Sequence, residues 1–191
     1  MLFPTNPITT ARLTLRPVNE HDAPALFPLY ADAEAMRFWS RPPFTALSEA
    51  EQLVQRGVEG WEQQQSMMWV VEAEGVVAGT ISLFSLSEQN RRAEIGYMLA
   101  RPFWQQGIMS EALTAIIALA FGPMDLNRLE ADIDPDNVAS ARLLQRLGFA
   151  HEGHLPQRWI VDGRVTDSDL YGLLKAHWCS EQAARSGCRQ Q

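Results

Sequence analysis

The sequence is short of cysteine, of long apolar runs and of positive charge, and each shortage excludes a class of protein. Cys179 and Cys188 are its two cysteines, both near the C-terminal end. They do not make a disulfide framework, and a cytoplasmic setting is the simpler expectation. The longest nearly apolar window, Ala112 to Phe121, contains Thr114 and is too short to cross a bilayer, so no membrane partner is expected. Met1-Leu2-Phe3-Pro4 has neither a positive lead nor a long apolar stretch, which argues against a secretory signal. Lys and Arg number 16 against 23 Asp and Glu, a formal charge of -7. That balance repels nucleic acid: Arg91 and Arg92 are only a pair, and Arg142 and Arg146 share one helical face. Two phosphate-binding signatures are missing, Gly-x-Gly-x-x-Gly and a Gly-rich loop ending in Lys-Ser or Lys-Thr. Their absence argues against a dinucleotide fold and a P-loop ATPase. His21, His151, His154 and His177 have no metal-binding spacing, and no histidine arrangement marks Cys179 as a nucleophile.

What is present describes a folded domain. Of 191 residues, 46% are apolar and 20% charged, which fits one domain with a sizeable core. Residues 1–178 read as that domain, and 179–191 as a polar tail. Ala11 to Pro17 alternates as an opening strand. A helix follows, capped by Asn19 or Asp22, with Leu26, Leu29 and Tyr30 as its buried stripe. After Pro42-Pro43 comes a second helix, about Leu47 to Gln64, starting behind Thr45 or Ser48. Met68 to Glu72 and Val76 to Phe84 form a hairpin turning at Glu74-Gly75. Ala93 to Leu99 is a strand, followed by a helix from Gly107 to about Phe121. A strand from Leu129 to Asp134 and a helix from Asn137 to Leu147, stopped by Gly148, come next. Strands over Ala150 to Ile160 and Val165 to Leu174 turn at Asp162-Gly163. This order predicts an α/β fold, one mixed sheet with helices on both faces.

The stretch Trp104-Gln105-Gln106-Gly107-Ile108-Met109-Ser110 lies between a strand and a helix. Gly107 accepts backbone angles that other residues resist. The first N–H groups of the next helix lack internal partners, and the helix dipole there favours an anion. Ser110 adds a hydroxyl. The same stretch is also compatible with a plain strand-to-helix turn.

From here the chain resembles the GNAT superfamily of N-acetyltransferases, and more closely the RimJ/RimL group. The similarity runs from about Thr10 to Trp178. It rests on Thr10 to Pro17, on Ala93-Glu94-Ile95-Gly96-Tyr97-Met98-Leu99 with Pro102 and Trp104, and on Leu126 to Ala131. Asn137-Val138-Ala139-Ser140, Leu147-Gly148-Phe149 with Glu152-Gly153, and Asp169 to Leu174 complete it. The resemblance implies the strongly twisted GNAT sheet with a splayed central strand pair, and acetyl-CoA as cofactor. It places pyrophosphate at Gln105 to Ser110 and the pantetheine arm near Met98, Leu99 and Ile133. Asn137 then hydrogen-bonds that arm, and Ser140 lies near the thioester sulfur. The chain departs from the pattern at Trp104 and Met109, where the loop usually starts with Gln or Arg and ends with Gly or Ala. Gln105 replaces a frequent Gly, which makes the loop bulkier, and Leu144 replaces a tyrosine general acid.

An ammonium acceptor must lose a proton before it attacks a thioester, and a carboxylate is a suitable acceptor of that proton. Glu94, on the strand leading to the loop with Gly96 and Met98 on its face, is the candidate base; it is otherwise a solvated carboxylate or a partner for Arg92. Glu152 is the second candidate. The expected acceptor site comprises Trp39, Glu152 and Trp159; the resemblance implies the two tryptophans, each either an aromatic wall or a ring packed on the sheet. The expected acceptor is a protein or peptide N-terminus of ribosomal-protein type. A small amine such as a polyamine, arylamine or antibiotic is the alternative, and a non-catalytic acyl-CoA-binding module a third. The family's members are monomers or homodimers.

Overall fold

Five consecutive buried residues, Met67-Met68-Trp69-Val70-Val71, mark the strand that both layers of the core share. On a pleated strand these side chains alternate between faces. Met67, Trp69 and Val71 join the larger apolar cluster, while Met68 and Val70 join the smaller one. The computed structural model describes residues 3–180. Its strands are β1 (Ile8–Thr9), β2 (Leu13–Pro17), β3 (Met67–Ala73), β4 (Val76–Ser87), β5 (Arg92–Leu99), β6 (Arg128–Ile133), β7 (Ala150–Val161) and β8 (Arg164–Leu174). Its helices are α1 (Ala23–Ala31), α2 (Leu47–Glu62), α3 (Ile108–Phe121) and α4 (Val138–Arg146). The strands form one sheet in the order β1-β2-β3-β4-β5-β6-β8-β7. The expected mixed α/β sheet therefore forms. β1 and two single-turn helices, at Glu20–Asp22 and Arg101–Phe103, are too short to have announced themselves in the sequence.

Helix α1 starts behind a capping box: Asn19 accepts the His21 N–H, and Asp22 accepts the Asn19 N–H. Arg16 grips Asp22 with two bonds of 2.8 and 2.7 Å and reaches Glu72 at 2.8 Å, tying β2, β3 and the start of α1 together. Helix α2 begins differently from either expected cap. Its cap residue is Ala46, and Glu49 reaches back to accept the N–H groups of Thr45 and Ala46. Residues 175–180 are helical, and Trp178 packs into the larger cluster. From residue 181 on, the polar tail lies outside the described residues.

The position of the site follows from one irregularity. Strands β5 and β6 are the sheet's parallel pair, and they pair only over Arg92–Glu94 and Arg128–Glu130. Beyond that they separate, so β5 from Ile95 to Leu99 keeps β4 as its sheet neighbour and faces a gap on the other side.

Candidate active site

A cleft of about 580 Å³ occupies this gap. It is lined by residues of both sheet faces, among them Trp39, Glu94, Tyr97, Asn137, Ser140 and Trp159. Alternation along β5 puts Glu94, Gly96 and Met98 on the face packed by α1 and α2, and Ile95, Tyr97 and Leu99 on the opposite one. Met98 sits in the smaller cluster and Ile95 in the larger, as this requires.

Backbone groups also aim into the gap. The Ala100 N–H donates to Ala78 O at 2.8 Å, and the register pairs Thr80 with Met98. In an antiparallel ladder the intervening residues, Tyr97 and Leu99, then turn their N–H and C=O groups away from β4. Leu99 therefore has its N–H on the gap side, whereas Met98 is bonded to β4. Tyr97 adds another.

Glu94 is half-buried, and among the described residues its carboxylate has no hydrogen bond or ion pair. The alternative partner, Arg92, is taken by Glu130. Glu130 also accepts from Arg128 at 2.7 Å. Arg128 is paired in turn with Glu152, whose carboxyl it holds below the usual carboxylate range by hydrogen bonding. Glu152 is thus drawn to the paired end of β5 and β6. It does not line the cleft that holds Glu94. Asp132, Asp134 and Asp167 do line it, with Arg158 as the lining cation.

Asn137 caps α4, its side-chain oxygen accepting the Ser140 N–H at 3.1 Å. Its NH2 group is the part left for a ligand. Ser140 is 8% exposed, and its hydroxyl lies 2.5 Å from that of Tyr97. Burial pushes the Tyr97 phenol up to about 12. Leu144 is fully buried in the core. Sequence reasoning passed over Tyr97; the signal was its place three residues after Glu94, on the face turned toward α4.

The loop before α3 is held from outside. Arg12 donates to Gln106 O at 3.0 Å and to Glu111 at 2.7 Å, while Thr10 also donates to Glu111 at 2.6 Å. Trp104 donates its indole N–H to Leu99 O at 2.8 Å, and the Gln106 side chain bonds Pro102 O. Ile108 and Met109 are each 5% exposed, so their side chains enter the core and only their backbone faces the loop. The bulk at Met109 consequently leaves the loop open. Gly107 caps α3 in the left-handed region at φ 75°. Gln105 also adopts left-handed angles, at φ 60°. The turn needs such a conformation there, which explains why a glycine suits this place.

This geometry fits a long anionic thioester carrier. A left-handed turn leaves bare helix N–H groups at one end. A split sheet offers strand-like backbone partners in the middle, and a serine and an unpaired carboxylate lie on the two faces of the split.

Comparison with known proteins agrees. The family model described as acetyltransferase (GNAT) domain matches residues 12–150. An uncharacterized N-acetyltransferase of Bacillus licheniformis, p20, is 35% identical over 88% of this chain and 96% of its own. A spermidine N(1)-acetyltransferase of Escherichia coli K12 is 26% identical, covering 87% of this chain and 88% of its own. Among solved structures, RimL, a ribosomal L7/L12 alpha-N-protein acetyltransferase in complex with coenzyme A, superposes with a TM-score of 0.81. It is 27% identical and covers 88% of this chain and 98% of its own.

Proposed function

This chain belongs to the GNAT acetyltransferase family, and we propose that it transfers acetyl directly to the N-terminal amine of a protein or peptide. It is an N-acetyltransferase that uses acetyl-CoA. Bound there, acetyl-CoA supplies an activated acetyl thioester. The observation that carries the reading is the split between β5 and β6, with the unpaired Glu94 on one face and Ser140 on the other.

In this reading the amides of Gly107, Ile108, Met109 and Ser110 hold the diphosphate, assisted by Gln105 and Gln106. Trp104 acts indirectly, by fixing the loop to Leu99 O. The pantetheine arm runs along the gap-side backbone of β5, past Asn137. Glu94 takes the proton from the incoming ammonium, directly or through a water. The Leu99 or Tyr97 N–H faces the carbonyl oxygen as it gains negative charge. Ser140 donates to the sulfur as it leaves. A thiol's ordinary pKa of about 8.5 makes this departure undemanding, so a hydrogen bond suffices. Holding amine and thioester together supplies much of the remaining rate.

The amine enters between Trp39 and the β7–β8 hairpin. Trp159 is held by a bond from its indole N–H to Ser168 at 2.9 Å, yet remains 39% exposed. Ile160 and Val165, on the same hairpin, are exposed as well. An acceptor with residues behind its amine has surface to lie against, which favours a peptide over a small molecule. In this reading Glu152, paired with Arg128 and away from the cleft lining, serves the sheet rather than the transfer.

A polyamine is the second reading, favoured by four lining carboxylates, Glu94, Asp132, Asp134 and Asp167, against Arg158. A thiol-release screen with acetyl-CoA separates the two. Peptides differing in their first residue should release thiol at lower concentration than spermidine or aromatic amines. Saturation by spermidine alone would overturn the peptide reading, and no release with any amine would overturn catalysis.

A further inference from the structure

We propose that Tyr97 is a positioning residue for thiolate departure: its hydroxyl donates to Ser140 and thereby turns the Ser140 O–H toward the sulfur. This assignment rests on the cofactor reading above. The two hydroxyls lie 2.5 Å apart, and either can be the donor by geometry alone. Chemistry decides between them. A phenol is the more acidic hydroxyl, hence the better donor and the poorer acceptor, so the stable arrangement has Tyr97 donating and Ser140 accepting.

That choice has a consequence for Ser140. Each hydroxyl has one hydrogen to give. If Ser140 gave its own to Tyr97, it would have none for a ligand. With Tyr97 as donor, the Ser140 hydrogen is free, and it is polarised by the bond its oxygen accepts. Burial keeps Tyr97 protonated, and so a donor, through the neutral and mildly basic range. The place usually filled by a tyrosine on α4 holds buried Leu144, which cannot donate to anything. Tyr97 approaches the same helix from β5 instead.

The step balances without an added reactant. The C–N bond forms first, the carbonyl π pair moving to oxygen; as that pair returns, the C–S bond breaks and its electron pair leaves on sulfur. The ammonium gives one proton to Glu94, and so to solvent, before it attacks; the nitrogen sheds a second as the amide forms, and that proton goes to the departing thiolate directly or through water. Ser140 and Tyr97 stay protonated and only redirect their hydrogens.

The test compares binding of coenzyme A and desulfo-coenzyme A by calorimetry at pH 6.5 and pH 9, for the native enzyme, Tyr97→Phe and Ser140→Ala. A charge-assisted hydrogen bond to thiolate should make the native enzyme prefer coenzyme A at the higher pH by about tenfold. Tyr97→Phe should reduce that preference to about twofold or less and leave desulfo-coenzyme A affinity unchanged, and Ser140→Ala should abolish it. In turnover, Tyr97→Phe should lower kcat about tenfold while the KM for acetyl-CoA holds. Equal weakening of both ligands in Tyr97→Phe, or an undiminished preference for coenzyme A, would overturn the assignment and leave only packing. If the native enzyme binds neither ligand, the cofactor reading itself fails and takes the assignment with it.

Discussion

The loop ahead of α3, which follows the cleft-lining strand β5, and the hairpin of β7 and β8, which lines the cleft itself, are built in opposite ways. The loop turns inward: Ile108 and Met109 sink into the core, Arg12, just ahead of β2, braces it by bonding Gln106 O and Glu111 of α3, and what it leaves outward is backbone. The hairpin turns outward. Most of β7 is exposed and lies at the edge of the sheet, and the hairpin meets the cleft with side chains: Arg158, Trp159, Val161, Thr166 and Asp167. Backbone recognition suits a carrier that is always the same. Side-chain recognition suits an acceptor that differs from one relative to the next. On the proposed reading, the contrast is consistent with similarity to both an α-N-protein acetyltransferase and a spermidine acetyltransferase.

Substitutions should break this contrast in order of size. The largest effect belongs to the chemistry between the two regions. Glu94→Gln should lower kcat/KM by about 10² to 10⁴ at neutral pH, with coenzyme A affinity unchanged by titration calorimetry. A full rate at limiting free amine would remove Glu94 as base. On the hairpin, Trp159→Ala should raise the acceptor KM roughly fivefold, the loss of a cation–aromatic contact of about 1 kcal/mol, while the KM for acetyl-CoA stays put. A matching rise in both constants would show that the two sides are not separable.

Smaller changes sharpen the comparison. Gln105 holds a left-handed conformation that favours glycine, at φ 60°. Gln105→Gly should stabilise the protein by about 0.5 kcal/mol in thermal unfolding, the strain relieved less the greater freedom of the unfolded chain. Destabilisation would mean that the Gln105 side chain contributes contacts the turn requires. The least effect concerns pH. His154 bonds Asp169 at 2.8 Å and Asp167 at 3.2 Å, and these carboxylates raise its pKa above the ordinary histidine value. A raised folded value means that the link is fully present below the ordinary value and is lost as pH rises through the raised one. His154 should therefore titrate above a free histidine in NMR. Asp169→Asn should bring it down, and the native hairpin's amides should exchange faster, beyond the intrinsic pH effect, once it deprotonates. A His154 titration at or below the free value would contradict the link.

The regular elements were legible because apolar spacing and turn residues dictate them locally. The buried stripe Leu26, Leu29 and Tyr30, the hairpin turn at Glu74-Gly75 and the stop at Gly148 need no knowledge of distant parts. The cap of α2 was not legible, because Glu49 acts backward from inside the helix. The pairing of Glu152 was hidden for a different reason. Its position after the helix stop is local, but its capture by Arg128 depends on β6 lying beside β8, which sequence spacing does not reveal. Tyr97 was overlooked because its partner, Ser140, is 43 residues away in the chain. The distinction follows range of contact: backbone-run features of the loop were readable, and the pairings across the split sheet were not.

The most direct measurement is a crystal structure of this protein with coenzyme A and an acceptor peptide. The diphosphate should sit on the amides of Gly107 to Ser110, the sulfur within hydrogen-bond reach of Ser140, and the peptide amine on the Glu94 side of β5. A sulfur and an amine both on the same face of that strand, or a diphosphate away from the loop, would contradict transfer through the split between β5 and β6.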